Sequence, residues 1–557
     1  MSEEIQILIP MSGFGERFRQ AGYRVPKPLI EIDGKPIISY VINMFPNEKD
    51  FTFICNQEHL DNAEFRVSAI LNEYCPSGRV VGIPPHKLGP VHAVQQIKEL
   101  LEKDQPVLVN YCDFCCYWDW EHFKAFIQDS RCVGAIPAYK GFHPHSLGST
   151  KFAYVKEAEG WVEDIQEKQP FTDNRIEEFA SSGAYFFSSA ELMLQAFDDI
   201  TEQGLSVGGE YYVSMAYKPL LAAQRAIAVY PLQHFMQWGT PDDLAEYQTW
   251  SKIFRKLMNP VTVEAKTRGA SIIPLAGKGE RFARAGYKQV KPLILVSGSP
   301  MVVQAAHDLP PSEKYVFVLR SNMYGYKEIT KKLENTYSAA IIKSIDHVTE
   351  GQACTALIGL DTLQEVLGEV PNPITIGACD NGVLYDSSTL NRMLDDTEID
   401  VIVWASRGHP NAIRHPEMYG WIEAHGNSIR SISVKKPLDN PEVDAIVIGT
   451  FTFRKAENFR QSINSLLARK GRVHGEYFID DCINDAIKLG MRCKIFEVDH
   501  YLCWGTPNDL STFEYWQSCF HKWKEHPYKI EHDKRVPDYS HRALINRYRK
   551  VTPWVPK

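Results

Sequence analysis

The sequence predicts an α/β protein made of two tandem domains, each a mostly parallel sheet flanked by helices. Three observations predict it. The chain has 557 residues, and single cores stop growing near ~250–300 residues. Short Ile- and Val-rich runs alternate with longer segments of helical periodicity, the pattern of parallel βαβ units. The first half also recurs in the second. Residues 9–36 read IPMSGFGERFRQAGYRVPKPLIEIDGKP and residues 273–300 read IPLAGKGERFARAGYKQVKPLILVSGSP, identical without a gap at 16 of 28 positions. A repeat this long is a duplicated domain, not a solenoid.

Two later echoes keep nearly the same offset. GGEYYVSMAY (208–217) answers HGEYFIDDCI (474–483), and QWGTPDDL (237–244) answers CWGTPNDL (503–510). The expected boundaries are a first domain at 1–258, a linker at 259–268, a second domain at 269–525 and an extension at 526–557. The linker NPVTVEAKTR is short and polar, with a proline near its start. The extension has eight Lys or Arg against three acids and several aromatics, and no counterpart in the first half. It reads as a docking arm across the two halves, the alternative being a partly disordered tail.

In the first half IQILIP, FTFIC, RVVGI, PVLVNYC and VGAIPAY are expected strands, separated by the helical patterns PIISYVINMF, VHAVQQIKELLEK and WEHFKAFIQ. In the second half ASIIPL, KYVFVLR, AAIIKSI, PITIGAC and DVIVWAS repeat the scheme. Ligands of such folds bind beyond the carboxyl ends of the strands.

Composition narrows the function. The net charge of -8 argues against a nucleic-acid binder, which needs surplus cations to displace counterions. No run reaches the length of a membrane span, and MSEEIQILIPMSG has acids where a signal peptide has its basic stretch. The expected location is the cytoplasm, and the twelve cysteines read there as reduced, mostly buried thiols.

The loop after the first strand, Met11-Ser-Gly-Phe-Gly-Glu-Arg-Phe18, lacks the third glycine of a GxGxxG fingerprint and the GK[ST] of a P-loop. Gly13 and Gly15 would let backbone N–H groups approach an anion. Arg17 follows at the turn into a helix, and Lys27 stands between Pro26 and Pro28. Two cations and exposed amides beside a strand end suit a nucleoside triphosphate. Gly277, Gly279, Arg281 and Lys291 repeat the set in register.

GxGxRF followed by GYxxPKPLI resembles the signature of the sugar-phosphate nucleotidyltransferase superfamily, the pyrophosphorylases that make nucleotide sugars. Lys87-Leu-Gly-Pro-Val-His-Ala-Val-Gln-Gln96 resembles that family's LGTxHAxxxA segment, and Gly209-Glu-Tyr-Tyr-Val213 its GEYY segment. WGTPxDL resembles a bacterial branch associated with capsule and surface-polysaccharide genes.

The resemblance implies Rossmann-like, GT-A-like domains that transfer a nucleotidyl group from a nucleoside triphosphate to a phosphorylated sugar or small polyol, with Mg2+ as cofactor. It implies that Gly13, Gly15 and Arg17 hold the triphosphate and that Lys27 neutralises it near the reacting phosphorus. Gly89 would contact the base, Asp113 the magnesium, Lys168 the acceptor's phosphate and Glu210 its sugar. In the second half the same roles fall to Gly277, Gly279, Arg281, Lys291, Gly351, Asp380, Lys435 and Glu476. No nucleic-acid partner or membrane span is implied, and self-association into a homo-oligomer stays open.

The chain departs from the family pattern in several places. The family commonly places a second metal-binding Asp two residues before the late Gly-Thr, where this chain has Gln237 and Cys503. Asp480, Asp481, Asp119 and Asp386 are the alternative ligands considered. His234 and His500 match between halves and read as core or hydrogen-bonding residues. Pro90 removes an amide from the first base loop, and Val434 stands where the first half has Glu167 before its lysine. Two other functions remain: a GT-A-type glycosyltransferase using a nucleotide sugar, although neither Asp113-Phe-Cys115 nor Asp380-Asn-Gly382 is Asp-x-Asp, and a catalytic half paired with a nucleotide-binding regulatory half.

Overall fold

The structure is a computed structural model that describes residues 4–149, 151–259, 265–338 and 340–548. Residues 260–264 of the expected linker, and the extension beyond 548, lie outside the described residues. The chain forms two compact units. The first takes in the described residues of Met1–Lys256, Tyr515–Lys529 and Ile545–Lys557, the second those of Leu257–Glu514 and Ile530–Leu544. The structure thus divides the C-terminal part differently from the expected boundaries at 525 and 526, alternating it between the units.

The first unit is built on a ten-stranded mixed sheet. Its parallel block runs Arg79–Ile83, Phe51–Asn56, Gln6–Met11, Val107–Asn110. The strand Ala184–Phe187 then runs antiparallel between Val107–Asn110 and Gly134–Tyr139. Beyond it Ile227–Leu232 lies parallel to Gly134–Tyr139. An antiparallel hairpin, Ala153–Ala158 with Trp161–Glu167, completes that end together with Phe179–Ser181. The parallel strands are apolar on both faces: Ile7, Ile9, Phe53 and Ile54 are fully buried, as a sheet covered by helices on both sides requires.

The second unit repeats this plan in nine strands. Its parallel block is Ala340–Ile345, Lys314–Arg320, Ala270–Leu275 and Ile374–Ile376, followed by antiparallel Ala445–Phe453. Val401–Ser406 lies parallel to Cys493–Glu497, and the hairpin Gly420–His425/Ser428–Val434 closes the sheet.

The helix expected over VHAVQQIKELLEK divides. An α-helix spans Pro90–Gln95 and a 3-10 turn spans Lys98–Leu100. The Gln6 side chain bonds both to Glu102 O and from Glu102 N, each at 2.9 Å, which holds the chain beside the first strand. In the second unit the matching helix runs unbroken over Gln352–Leu367.

Two small antiparallel ribbons matter most for the site. Phe114–Tyr117 pairs with His234–Gln237, setting Gln237 opposite Phe114. Asn381–Leu384 pairs with His500–Cys503, setting Cys503 opposite Asn381. Each ribbon begins directly after the strand-end aspartate, Asp113 or Asp380, so the WGT turn is folded across it. All twelve cysteines are free thiols, ten of them buried. Among the described residues no helix is long and apolar enough to cross a membrane.

Candidate functional site

In the first unit the glycine loop, the base loop, the strand-end aspartate and the GEYY segment line one cavity of about 410 Å³, within the range of ligand sites. Gly13, Gly15, Arg17, Lys27, Gly89, Asp113 and Glu210 all border it. The strand Gln6–Met11 ends in the loop, and Gly15 caps the helix Glu16–Gln20 with φ 62°. That left-handed position is costly for a residue with a Cβ. Gly279 repeats it with φ 66° before the helix Glu280–Arg284.

The ion pair at the centre of the cavity was not evident from sequence. Lys27 Nζ donates to Asp113 Oδ2 at 2.7 Å across 86 residues, and each side chain is 23% exposed. Burial, the largest single influence, would lower the Lys27 pKa, but the Asp113 charge, the neighbouring Cys112 and the hydrogen bond to Asp113 together raise it. Lys291 Nζ makes the same bond to Asp380 Oδ2 at 2.5 Å and a second to Gly505 O at 3.2 Å. The Trp238 amide donates to Asp113 O and the Trp504 amide to Asp380 O, so each WGT turn is pinned on its aspartate.

The base loop approaches the GEYY segment backbone to backbone. Tyr211 N donates to Leu88 O at 2.9 Å and Val91 N to Tyr211 O at 3.2 Å. Gly89 has φ 89°, and a Cβ there would lie 2.7 Å from Tyr211 O, so only glycine fits. Gly351 meets Tyr477 in the same way, and the loop there is further tied by Arg472 on Glu350 at 2.7 Å. Lys87 Nζ pairs with Glu16 Oε1 at 2.6 Å, linking the base loop to the glycine loop.

Lys168 reaches the cavity through a relay. Its Nζ donates to Tyr212 OH at 2.5 Å, and Tyr212 OH donates to Glu210. Beside it Ser214 Oγ donates to Glu167 at 2.6 Å, and burial raises the Glu167 pKa. Lys168 has φ 60° and Lys435 φ 58°, a left-handed conformation kept at both copies. In the second unit Phe478 replaces Tyr212, so Lys435 lies over a ring, 5.3 Å from its centroid, without a phenol partner. Glu476, which matches Glu210, is exposed. Asp480 stands where the first unit has Ser214, and burial pushes its pKa up to about 6 although Lys435 opposes the shift. From sequence, Glu167 stood out only as a place where the halves diverge and Asp480 only as an alternative metal ligand, and their places beside a lysine were not evident.

The second metal ligands weighed from sequence have other partners. Asp119 caps the helix Trp120–Ser130 and Asp386 the helix Ser387–Asp395. Asp481 pairs with Arg469 at 2.7 Å. Burial holds the Cys503 thiol protonated, and it donates to Asp509. His234 is buried and bonded to Ser518 at 2.9 Å, as a core histidine. Among the described residues no three His, Cys, Asp or Glu side chains group as a metal cage. One carboxylate per domain fits magnesium in the mode where substrate phosphates and water supply the remaining ligands.

A glycine loop, a Lys–Asp pair at a strand end and a polar relay thus meet around one cavity of the first unit. Residues 7–237 match the family model of the nucleotidyl transferases. Mannose-1-phosphate guanylyltransferase catalytic subunit beta of Xenopus tropicalis is 28% identical over 250 residues, 43% of this chain and 62% of that protein. Mannose-1-phosphate guanyltransferase of Schizosaccharomyces pombe is 24% identical over 247 residues, again 43% and 62%. The chain therefore spans under two thirds of the length of these relatives. Among solved structures, a nucleoside-diphosphate-sugar pyrophosphorylase from Vibrio cholerae RC9 covers 44% of the chain and 98% of its own, with 21% identity and a TM-score of 0.36. A UDP-glucose pyrophosphorylase covers 45% and 99%, with 16% identity and a TM-score of 0.37.

Proposed function

We propose that the chain is a tandem nucleotidyltransferase, each domain moving a nucleotidyl group from a nucleoside triphosphate to a phosphorylated sugar or small polyol with release of pyrophosphate. The observation that carries this reading is the Lys–Asp pair beside a glycine loop, facing the Lys168–Tyr212–Glu210 relay in one cavity, with the loop and the pair repeated in the second unit. The match of residues 7–237 to the nucleotidyl transferases supports it.

An acceptor phosphate oxygen attacks the α-phosphorus in line, and pyrophosphate leaves. Such transfer asks the protein for alignment and charge neutralisation rather than covalent chemistry. The loop amides, Arg17 and Lys27 hold and neutralise the polyphosphate. Lys168 holds the acceptor's phosphate while Glu210 accepts from its hydroxyls. Magnesium, held by Asp113, would offset the repulsion between two polyanions. Arg281, Lys291, Asp380, Lys435 and Glu476 take these roles in the second domain.

The sugar phosphates handled by the named relatives make a hexose 1-phosphate the first acceptor to test. Production of precursors for bacterial capsule or surface polysaccharide, in the cytoplasm, is the biological setting we favour. A screen of nucleoside triphosphates against phosphorylated sugars and polyols, reading pyrophosphate release, tests the reading. No release with any pair, together with tight nucleotide-sugar binding, would replace it with a glycosyltransferase or sensor.

A further inference from the structure

The second domain holds a buried ion pair that the proposed chemistry does not use. Asp308 follows the helix Met301–His307 at its C-terminal end, where the helix dipole disfavours an anion. Its Oδ2 nonetheless accepts from Val383 N at 3.3 Å and from Arg535 Nη2 at 2.7 Å. Both side chains are under 10% exposed. Arg535 belongs to the C-terminal segment and groups with this unit. Its guanidinium carbon lies 5.7 Å from the centroid of the Trp504 ring. With its side-chain amide turned so that both groups are satisfied, Gln304 donates to Arg535 O and accepts from its Nε, each at 3.1 Å.

Two partners of this guanidinium, Asp308 and Trp504, lead to the site. Val383 is in the strand that starts directly after Asp380, and Trp504 donates its backbone amide to Asp380 O. Between them Gly382 is so enclosed that a Cβ would meet Asp308 Oδ2 at 2.2 Å, the Trp504 ring at 2.7 Å and Arg535 Nη2 at 2.9 Å. A buried pair is weak evidence for stability, and here one guanidinium nitrogen, Nη1, has no hydrogen-bond partner. What the arrangement supplies is geometry at the back of Asp380. The first unit has an earlier stretch of the C-terminal part, Tyr515–Lys529, at the matching place, with different chemistry. The Trp523 ring centroid lies 5.4 Å from that of Tyr40, the counterpart of Gln304, and 6.3 Å from that of Trp238, the counterpart of Trp504.

We propose that Arg535 is a positioning residue for the second site, fixing the Asp380 strand and the WGT turn through Asp308 and Trp504. The link to turnover rests on the nucleotidyl-transfer reading, whereas the link to local structure does not. The test uses the full chain carrying Asp113→Ala, so that only the second domain turns over, with Arg535→Ala or Arg535→Lys added. Arg535→Ala should open amides 381–384 and 503–506 to hydrogen exchange while the rest of the second domain stays protected. It should also lower kcat by about a hundredfold with a smaller change in KM for the triphosphate. Millimolar guanidinium should restore part of kcat to Arg535→Ala, and Arg535→Lys should fall between the two.

Unchanged exchange at those amides would overturn the proposal. So would exchange raised evenly across the domain with no guanidinium rescue, the mark of a purely structural role. If the Asp113→Ala chain has no turnover to lose, the transfer reading of the second domain falls, and the exchange pattern alone decides the positioning role.

Discussion

Replacing Gly13 and Gly277 together with alanine separates a phosphate loop from a tight turn. Gly13 and Gly277 have backbone outside the left-handed region, and a Cβ on either would meet no heavy atom within 4 Å. The ligand-free protein therefore tolerates the methyl. By restricting the unfolded chain each substitution should stabilise its domain by about 0.4–1 kcal/mol, a rise in Tm of about 1–4 °C for domains of this size. The methyl stands where phosphate oxygens must approach the amides. Losing one charged hydrogen bond, about 1.5–3 kcal/mol, weakens triphosphate binding by roughly 10–150-fold. Titration calorimetry with a nucleoside triphosphate and differential scanning calorimetry read the two effects on the same double variant.

Two controls isolate backbone strain from ligand contact. Gly15→Ala places a Cβ at φ 62°, which costs about 1–2 kcal/mol and lowers Tm whether or not ligand binds. Gly22→Ala, at φ 89° and not among the residues that border the cavity, should lower Tm and leave affinity unchanged. A Tm that drops several degrees in Gly13→Ala/Gly277→Ala, with the dissociation constant within twofold of wild type, would show that the glycines serve only the turn.

Three further outcomes are expected. Asp113→Ala should silence the first domain and Asp380→Ala the second, leaving activities that differ in triphosphate or acceptor preference; two identical half-activities in the pyrophosphate assay would refute a division of labour. His143 and His409 are buried, and burial pushes each pKa down to about 4, against about 6.5 when unfolded. Each is neutral when folded, so its contribution is intact above pH 6.5 and is lost as pH falls toward 4, at up to about 1.4 kcal/mol per pH unit. His143→Gln and His409→Gln should flatten the acid limb of the Tm–pH curve, and curves that stay parallel to wild type would sink this account. A Cβ on Gly239 would lie 2.6 Å from the Gln237 amide and 3.0 Å from the Asp113 carboxylate. Gln237→Asp should therefore add a carboxylate beside Asp113 and lower the magnesium needed for half-maximal turnover by about tenfold, about 1.4 kcal/mol; an unchanged or higher requirement would place Gln237 away from the metal.

The parallel strands were legible because burial on both faces leaves continuous apolar runs such as ILI and VFVL, and duplication made the loop legible twice. The hairpin Ala153–Ala158/Trp161–Glu167 was not legible, since its burial pattern is mixed and charged residues interrupt its apolar ones. The unity of the predicted helix over 91–103 failed for a long-range reason, the Gln6 side chain gripping the backbone at Glu102. For the site, motif order placed Lys27 and Asp113 at the same end of the sheet, but no periodicity reveals an ion pair across 86 residues. The C-terminal extension was hardest to read, because its partners Asp308 and Trp504 are ordinary core positions until Arg535 meets them.

The divergence between the domains around Lys168 and Lys435 is a redistribution rather than a loss. In the first domain the carboxylate belongs to the strand, as Glu167, and the hydroxyl to the segment after GEYY, as Ser214. In the second domain the strand position is Val434, and the carboxylate is carried by that later segment, as Asp480. The hairpin has adjusted to it. Glu167 lies opposite Ala153, and Val434 opposite Gly420. A Cβ on Gly420 would come within 2.5 Å of Asp480 Oδ2, so the smaller residue makes room for the moved carboxylate. Both carboxylates have pKa values raised by burial, and both lie near a lysine that lowers them. Each domain thus keeps one lysine and one carboxylate at this end of the cleft but presents the carboxylate from a different element. On the proposed transfer reading, the exchange alters what an acceptor meets beside the lysine and leaves the glycine loop and the Lys–Asp pair as they are.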